Sequence, residues 1–131
     1  MTEFAEREAR HIERTARRIV DEARRASGVH AGVAHEIALL LETLARARAL
    51  HYAQLDALLR DECMVDSFLL RLERLHPWEA PGEFAVRARL LALNAERRAL
   101  AVAWEEQRAH AYRELLALVE KYRLLDPDDT D

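Results

Sequence analysis

The chain has 131 residues, a length that suits one domain. Only three Gly, three Pro and three Phe occur, 34% of residues are charged and Ala, Leu, Arg and Glu dominate, the composition of an all-α protein with a solvated surface. The net charge of −4 lies in the terminal stretch Asp126-Pro127-Asp128-Asp129-Thr130-Asp131; the neutral body argues against a nucleic-acid footprint and against electrostatic docking on an anionic membrane.

The first segment, about 2–26, is helix-forming but weakly apolar, with a stripe of Phe4, Ile12, Ala16, Ile19, Val20 and Ala23. Alone it would be marginal, so it is expected to dock on the rest of the chain. Ser27-Gly28 fits a helix stop, with Gly in the left-handed cap conformation. With Gly32 nearby, residues 27–32 read as a hinge.

The second helix is expected at about 33–75. It carries a heptad row of Ile37, Leu44, His51, Leu58, Val65 and Leu72, flanked by Leu41, Leu55 and Leu69. Cys63 is the only cysteine, so no intramolecular disulfide is possible. Its place in an apolar helical stretch reads as a small buried hydrophobe. His76-Pro77-Trp78-Glu79-Ala80-Pro81-Gly82 predicts a turn at 76–82.

A third helix follows at about 83–125, with the stripe Leu90, Leu93, Arg97, Leu100, Trp104, Gln107, Ala111, Leu115, Leu118, Tyr122 and Leu125. The two successive steps of four at Gln107–Ala111–Leu115 are a stutter. Asp126-Pro127 ends the helix, leaving an acidic tail at 126–131. Two equal stripes joined by a Pro/Gly turn spell a long antiparallel hairpin, each arm roughly 64 Å long at the α-helical rise. In that register His51 faces Gln107, Glu62 faces Arg97 and Arg48 falls opposite His110. Such polar layers would set the register, since buried polar groups need partners.

Signs of chemistry are sparse. Three stretches with four residues between Arg and His (Arg25 to His30, Arg46 to His51, Arg71 to His76) resemble the motif of the HEPN ribonucleases. That resemblance implies RNA cleavage by a helical dimer, and only Arg46–His51 lies well inside a predicted helix. Glu8/His11 and Glu73/His76 have the spacing used in di-iron bundles, but no matched pair of further inward Glu residues accompanies them. No Gly-rich phosphate loop, Cys-x-x-Cys pair or nucleophile elbow occurs. No catalytic residue, metal or other cofactor is expected. The start of the chain has no apolar h-region and no run reaches the ~18 apolar residues of a membrane span, so a cytoplasmic location is expected.

What stands out is surface apolarity. The third helix has Leu91, Val102, Leu116 and Val119 beside its main stripe, a wider apolar face than one seam needs. Either the first helix or a partner helix covers it. Leu55-Asp56-Ala57-Leu58-Leu59-Arg60, Leu69-Leu70-Arg71-Leu72-Glu73-Arg74-Leu75 and Leu91-Ala92-Leu93-Asn94-Ala95-Glu96-Arg97-Arg98-Ala99-Leu100 resemble the texture of the FlgN-like flagellar (type III) export chaperones. Those are cytosolic helical hairpins that hold the apolar terminal helices of hook-associated proteins. The resemblance covers roughly 35–125 and implies a partner groove around Leu115, Leu116, Leu118, Val119 and Tyr122. The expectation is therefore a single helical domain over 1–131, a three-helix bundle built on a long hairpin. It would act as a non-enzymatic adaptor, chaperone or assembly subunit. A partner helix, or a second copy in a homodimer, would be buried on Leu91, Val102, Leu115, Leu116, Leu118, Val119 and Tyr122. The alternative is a HEPN-like ribonuclease or a metal-binding bundle.

Overall fold

A computed structural model describes residues 4–25, 27–75 and 83–125. The expected turn at 76–82 and the acidic tail at 126–131 lie outside the described residues. Three α-helices and no strand occur among the described residues: α1 (Glu6–Glu22), α2 (Val29–Leu75) and α3 (Glu83–Leu125). A 3-10 turn, Ala23–Arg25, closes α1.

The α1–α2 junction shows why glycine is placed where it is. Gly28 has φ +66°, the left-handed conformation that costs any residue with a Cβ. Its carbonyl accepts from the Gly32 N–H at 3.1 Å, so α2 begins immediately after it. Gly32 therefore lies inside the first turn of α2 and is no hinge. The helix starts at Val29, ahead of the position near 33 that the apolar stripe suggests.

The helices build two compact units, 1–48 with 105–131, and 49–104. In the first unit, α2 and α3 run antiparallel and α1 adds a third layer. His30 Nε2 lies 2.7 Å from the Leu125 carbonyl oxygen and Arg48 reaches Tyr112, which fixes the α2–α3 direction. Among the described residues fourteen apolar side chains are buried here, including Ile12, Ala16 and Ile19 of α1, Val33, Ile37 and Leu44 of α2, and Tyr112, Leu115, Val119 and Tyr122 of α3. At about 25 cal/mol per Å² of apolar area, burial of this kind supplies the cohesion that α1 lacks alone.

The second unit is a two-layer antiparallel hairpin of α2 against α3. Among the described residues its buried apolar side chains are Leu69, Leu93 and Trp104. The seam positions Leu58, Val65, Leu72, Leu90 and Leu100 are half-buried. Two helices alone cover one stripe of each other and leave the flanks in solvent.

Candidate functional site

In the first unit the polar chemistry converges on Glu13, which α1 aims at α2 and α3. Its Oε1 accepts a hydrogen bond from the Tyr112 hydroxyl at 2.6 Å and another from Arg48 Nη2. Arg48 Nη2 also donates to the Tyr112 oxygen at 3.3 Å. Glu6 pairs with Arg108 at 2.6 Å, and the Phe4 and Tyr112 rings meet edge-on at 5.8 Å. Burial opposes ionisation of Glu13, but hydrogen bonds from Tyr112 and Arg48, with the charges of Arg48 and Arg17, hold its carboxyl below the ordinary carboxylate value. Burial, the hydrogen bond to Glu13 and the Glu13 charge push the Tyr112 hydroxyl up to about 12. Neither group is poised near neutrality, as a general acid or base would be. The cluster is a latch that holds α1 on the long helices. It also changes the expected pairing of Arg48: its partners are Glu13 and Tyr112, while His110 is exposed and meets Glu114 at 3.0 Å.

That latch bears on the expected partner groove. Leu115 is fully buried, and Val119 and Tyr122 are 2% and 8% exposed. Leu116 and Leu118 are half-buried. The first unit's own packing thus covers Leu115, Val119 and Tyr122, which are not free to receive a helix in this arrangement. Leu91 and Val102 differ: they lie in the second unit and are 68% and 57% exposed.

In the second unit, Arg97 Nε stands 3.4 Å from Glu62 Oε1, across the two helices. The contact is an ion pair without hydrogen-bond geometry, for Glu62 Oε1 makes no hydrogen bond. His51 stacks on Trp104, with ring centroids 5.0 Å apart and planes 12° from parallel. Its Nδ1 is buried without a hydrogen-bond partner, and Gln107 is exposed. The polar layer expected at His51 is therefore an aromatic stack, the indole occupying the space over the imidazole. Arg46 is exposed and ion-paired with Glu42 on its own helix. Among the described residues no group of three or more His, Cys, Asp or Glu is placed to hold a metal. No described helix is long and apolar enough to cross a membrane.

The remaining surface of the second unit is strongly apolar. Among the described residues nine of its large apolar side chains are exposed, including Tyr52, Leu59, Met64, Phe68, Phe84 and Leu91, against Val29, Leu39 and Leu124 in the first unit. By helical spacing those of the second unit form two groups. On the outer side of α3, turned away from the Leu93–Trp104 seam, Phe84, Leu91 and Val102 run with Ala88 and Ala95. In the other group, Met64 and Phe68 of α2 border an open cavity of about 610 Å³ that also touches Cys63, Arg71, Ala85 and Arg89. Cys63 is exposed there rather than buried, because it points away from the Leu58–Val65–Leu72 seam. The exposed apolar character of α2 at Met64 and Phe68 escaped the sequence reading, in which only the third helix looked wide. The signal was present in the row Leu50, Ala57, Met64 and Phe68, interrupted by Gln54 and Asp61. Comparison with models of known protein families, with curated proteins and with solved structures found no match.

Proposed function

We propose that this protein is a non-enzymatic helical adaptor, chaperone or assembly subunit that buries an apolar helix of a protein partner on α3. The observation that carries the reading is the exposed stripe of Phe84, Leu91 and Val102, at 87%, 68% and 57% exposure. Residues spaced three, four and seven apart on a helix accept the complementary stripe of an amphipathic partner helix. Apolar side chains clustered in this way on a chain with 34% charged residues are the mark of an interaction surface. Of the seven side chains expected to hold a partner, Leu91 and Val102 are the open ones, so the reading centres on them.

The test is a photo-crosslinking side chain placed at Leu91, used in native lysate. The crosslinked segment is then made as a synthetic peptide and titrated against the purified chain. It should be an amphipathic helix, and Leu91→Asp with Val102→Asp should weaken its binding at least about tenfold, some 1.4 kcal/mol, with helicity unchanged. A crosslinked segment lacking an apolar helical stripe, or equal affinity in the double variant, would contradict the reading.

A further inference from the structure

The flank that holds the first cavity has a pattern of its own, independent of the adaptor reading. On α2 it presents Asp61, Met64, Phe68 and Arg71, and on α3 Arg89, Ala92, Glu96 and Ala99. The first cavity joins Arg71 and Arg89 around Met64 and Phe68. A second, of about 430 Å³, joins Asp61 and Glu96 along Ala57 and Ala99. Arg89 and Glu96 form an ion pair within the chain at 3.9 Å and are each about half exposed, which places them on the same face of α3. On this face Arg71 and Arg89 stand towards one end and Asp61 and Glu96 towards the other, with Met64, Phe68 and Ala92 between them; Arg60, beside Asp61, is held by Asp56 of its own helix.

We propose that this face is a homodimer interface, in which a second copy packs antiparallel across a two-fold axis to form a four-helix bundle. The charge spacing supplies the argument. On α2, Asp61 and Arg71 stand equally far on either side of position 66. On α3, Glu96 and Arg89 straddle the Ala92–Leu93 peptide. Positions 66 and 93 stand at one level, because Glu62 faces Arg97 and each lies one helical turn away. A single axis at that level carries Arg71 onto Asp61 of the second copy and Arg89 onto Glu96 of the second copy. In the dimer Arg89 and Glu96 each exchange their partner within the chain for its counterpart on the second copy. The same rotation sets Met64 against Phe68 of the second copy, a favourable sulfur–aromatic contact. Ala92, beside the axis, lets the two α3 helices approach closely. The parallel arrangement would put Arg71 against Arg89 and Asp61 against Glu96, and like charges reject it. Each patch meets itself, the self-complementarity that an isologous interface requires.

Light scattering on the purified full chain across a concentration series reads the mass directly. The expected value is twice the 15.1 kDa of one chain. Arg71→Glu with Arg89→Glu should raise the dimer dissociation constant at least about tenfold while circular dichroism keeps its helical signal. Adding Asp61→Arg and Glu96→Arg to that variant recreates the pattern with signs exchanged and should restore the dimer. A monomer at all concentrations, a dimer indifferent to the double substitution, or a four-fold variant that stays monomeric would each overturn the proposal. Leu91→Asp with Val102→Asp should leave the mass unchanged, so this interface and the partner stripe fail separately.

Discussion

At the scale of single residues, the latch of Glu13, Arg48 and Tyr112 holds α1. Glu13 is lowered below the ordinary carboxylate value, so its stabilising effect is complete above that range and fades as pH falls through the lowered value. Tyr112 has the opposite sign. Its contribution is complete below the ordinary value of 10.0 and is lost as pH rises towards about 12. The docking of α1, followed by amide exchange across Glu6–Glu22, should therefore weaken at both extremes. Glu13→Gln should cost about 1–3 kcal/mol and remove the acid limb; Tyr112→Phe should cost about 1 kcal/mol and remove the alkaline limb. A pH profile unchanged in either variant would show that the latch does not govern docking. His51 supplies a prediction of the other sign. Its Nδ1 is buried without a hydrogen bond, so His51→Phe, which keeps a ring against Trp104, should raise stability by about 1 kcal/mol in a denaturant melt.

At the scale of elements, the glycines at the α1–α2 junction separate two effects that look alike in sequence. A Cβ added at Gly28 or Gly32 meets nothing within 4 Å, so packing does not distinguish them. Backbone conformation does. Gly28→Ala forces a Cβ into positive φ and should destabilise by about 1 kcal/mol, whereas Gly32→Ala, inside α2, should stabilise by about 0.5–1 kcal/mol. Equal thermal shifts for the two would refute the cap assignment. The helices themselves were legible because an apolar period of 3.5 to 3.6, with no Gly or Pro across 33–75 or 83–125, admits little else. The start of α2 was not, because its first turn is held by a backbone bond to Gly28 and carries no apolar stripe. Cys63 was misplaced for a related reason: an apolar neighbourhood in sequence does not say which side of a helix a residue occupies.

At the scale of the molecule, the two units differ in what covers them. The first has a third helix, and Leu115, Val119 and Tyr122 are buried beneath its own packing. The second has two helices and, among the described residues, three buried apolar side chains and nine large exposed ones. Sequence showed that the apolar face of α3 was too wide for one seam. It could not show which stretch α1 covers, since the same kind of stripe runs from Leu91 to Val119. The tertiary pairing of Glu13 with Arg48 and Tyr112 makes that choice, and residues so distant in sequence carry no mutual period. The central claim is that the bare faces of the second unit are binding surfaces. Carbene footprinting of the purified chain, alone and after addition to native lysate, tests this most directly. The claim predicts strong labelling of Phe84, Leu91 and Val102 in buffer and protection of all three in lysate, with Val29 and Leu124 labelled alike in both. Equal labelling of Leu91 and Val102 in buffer and in lysate would contradict it.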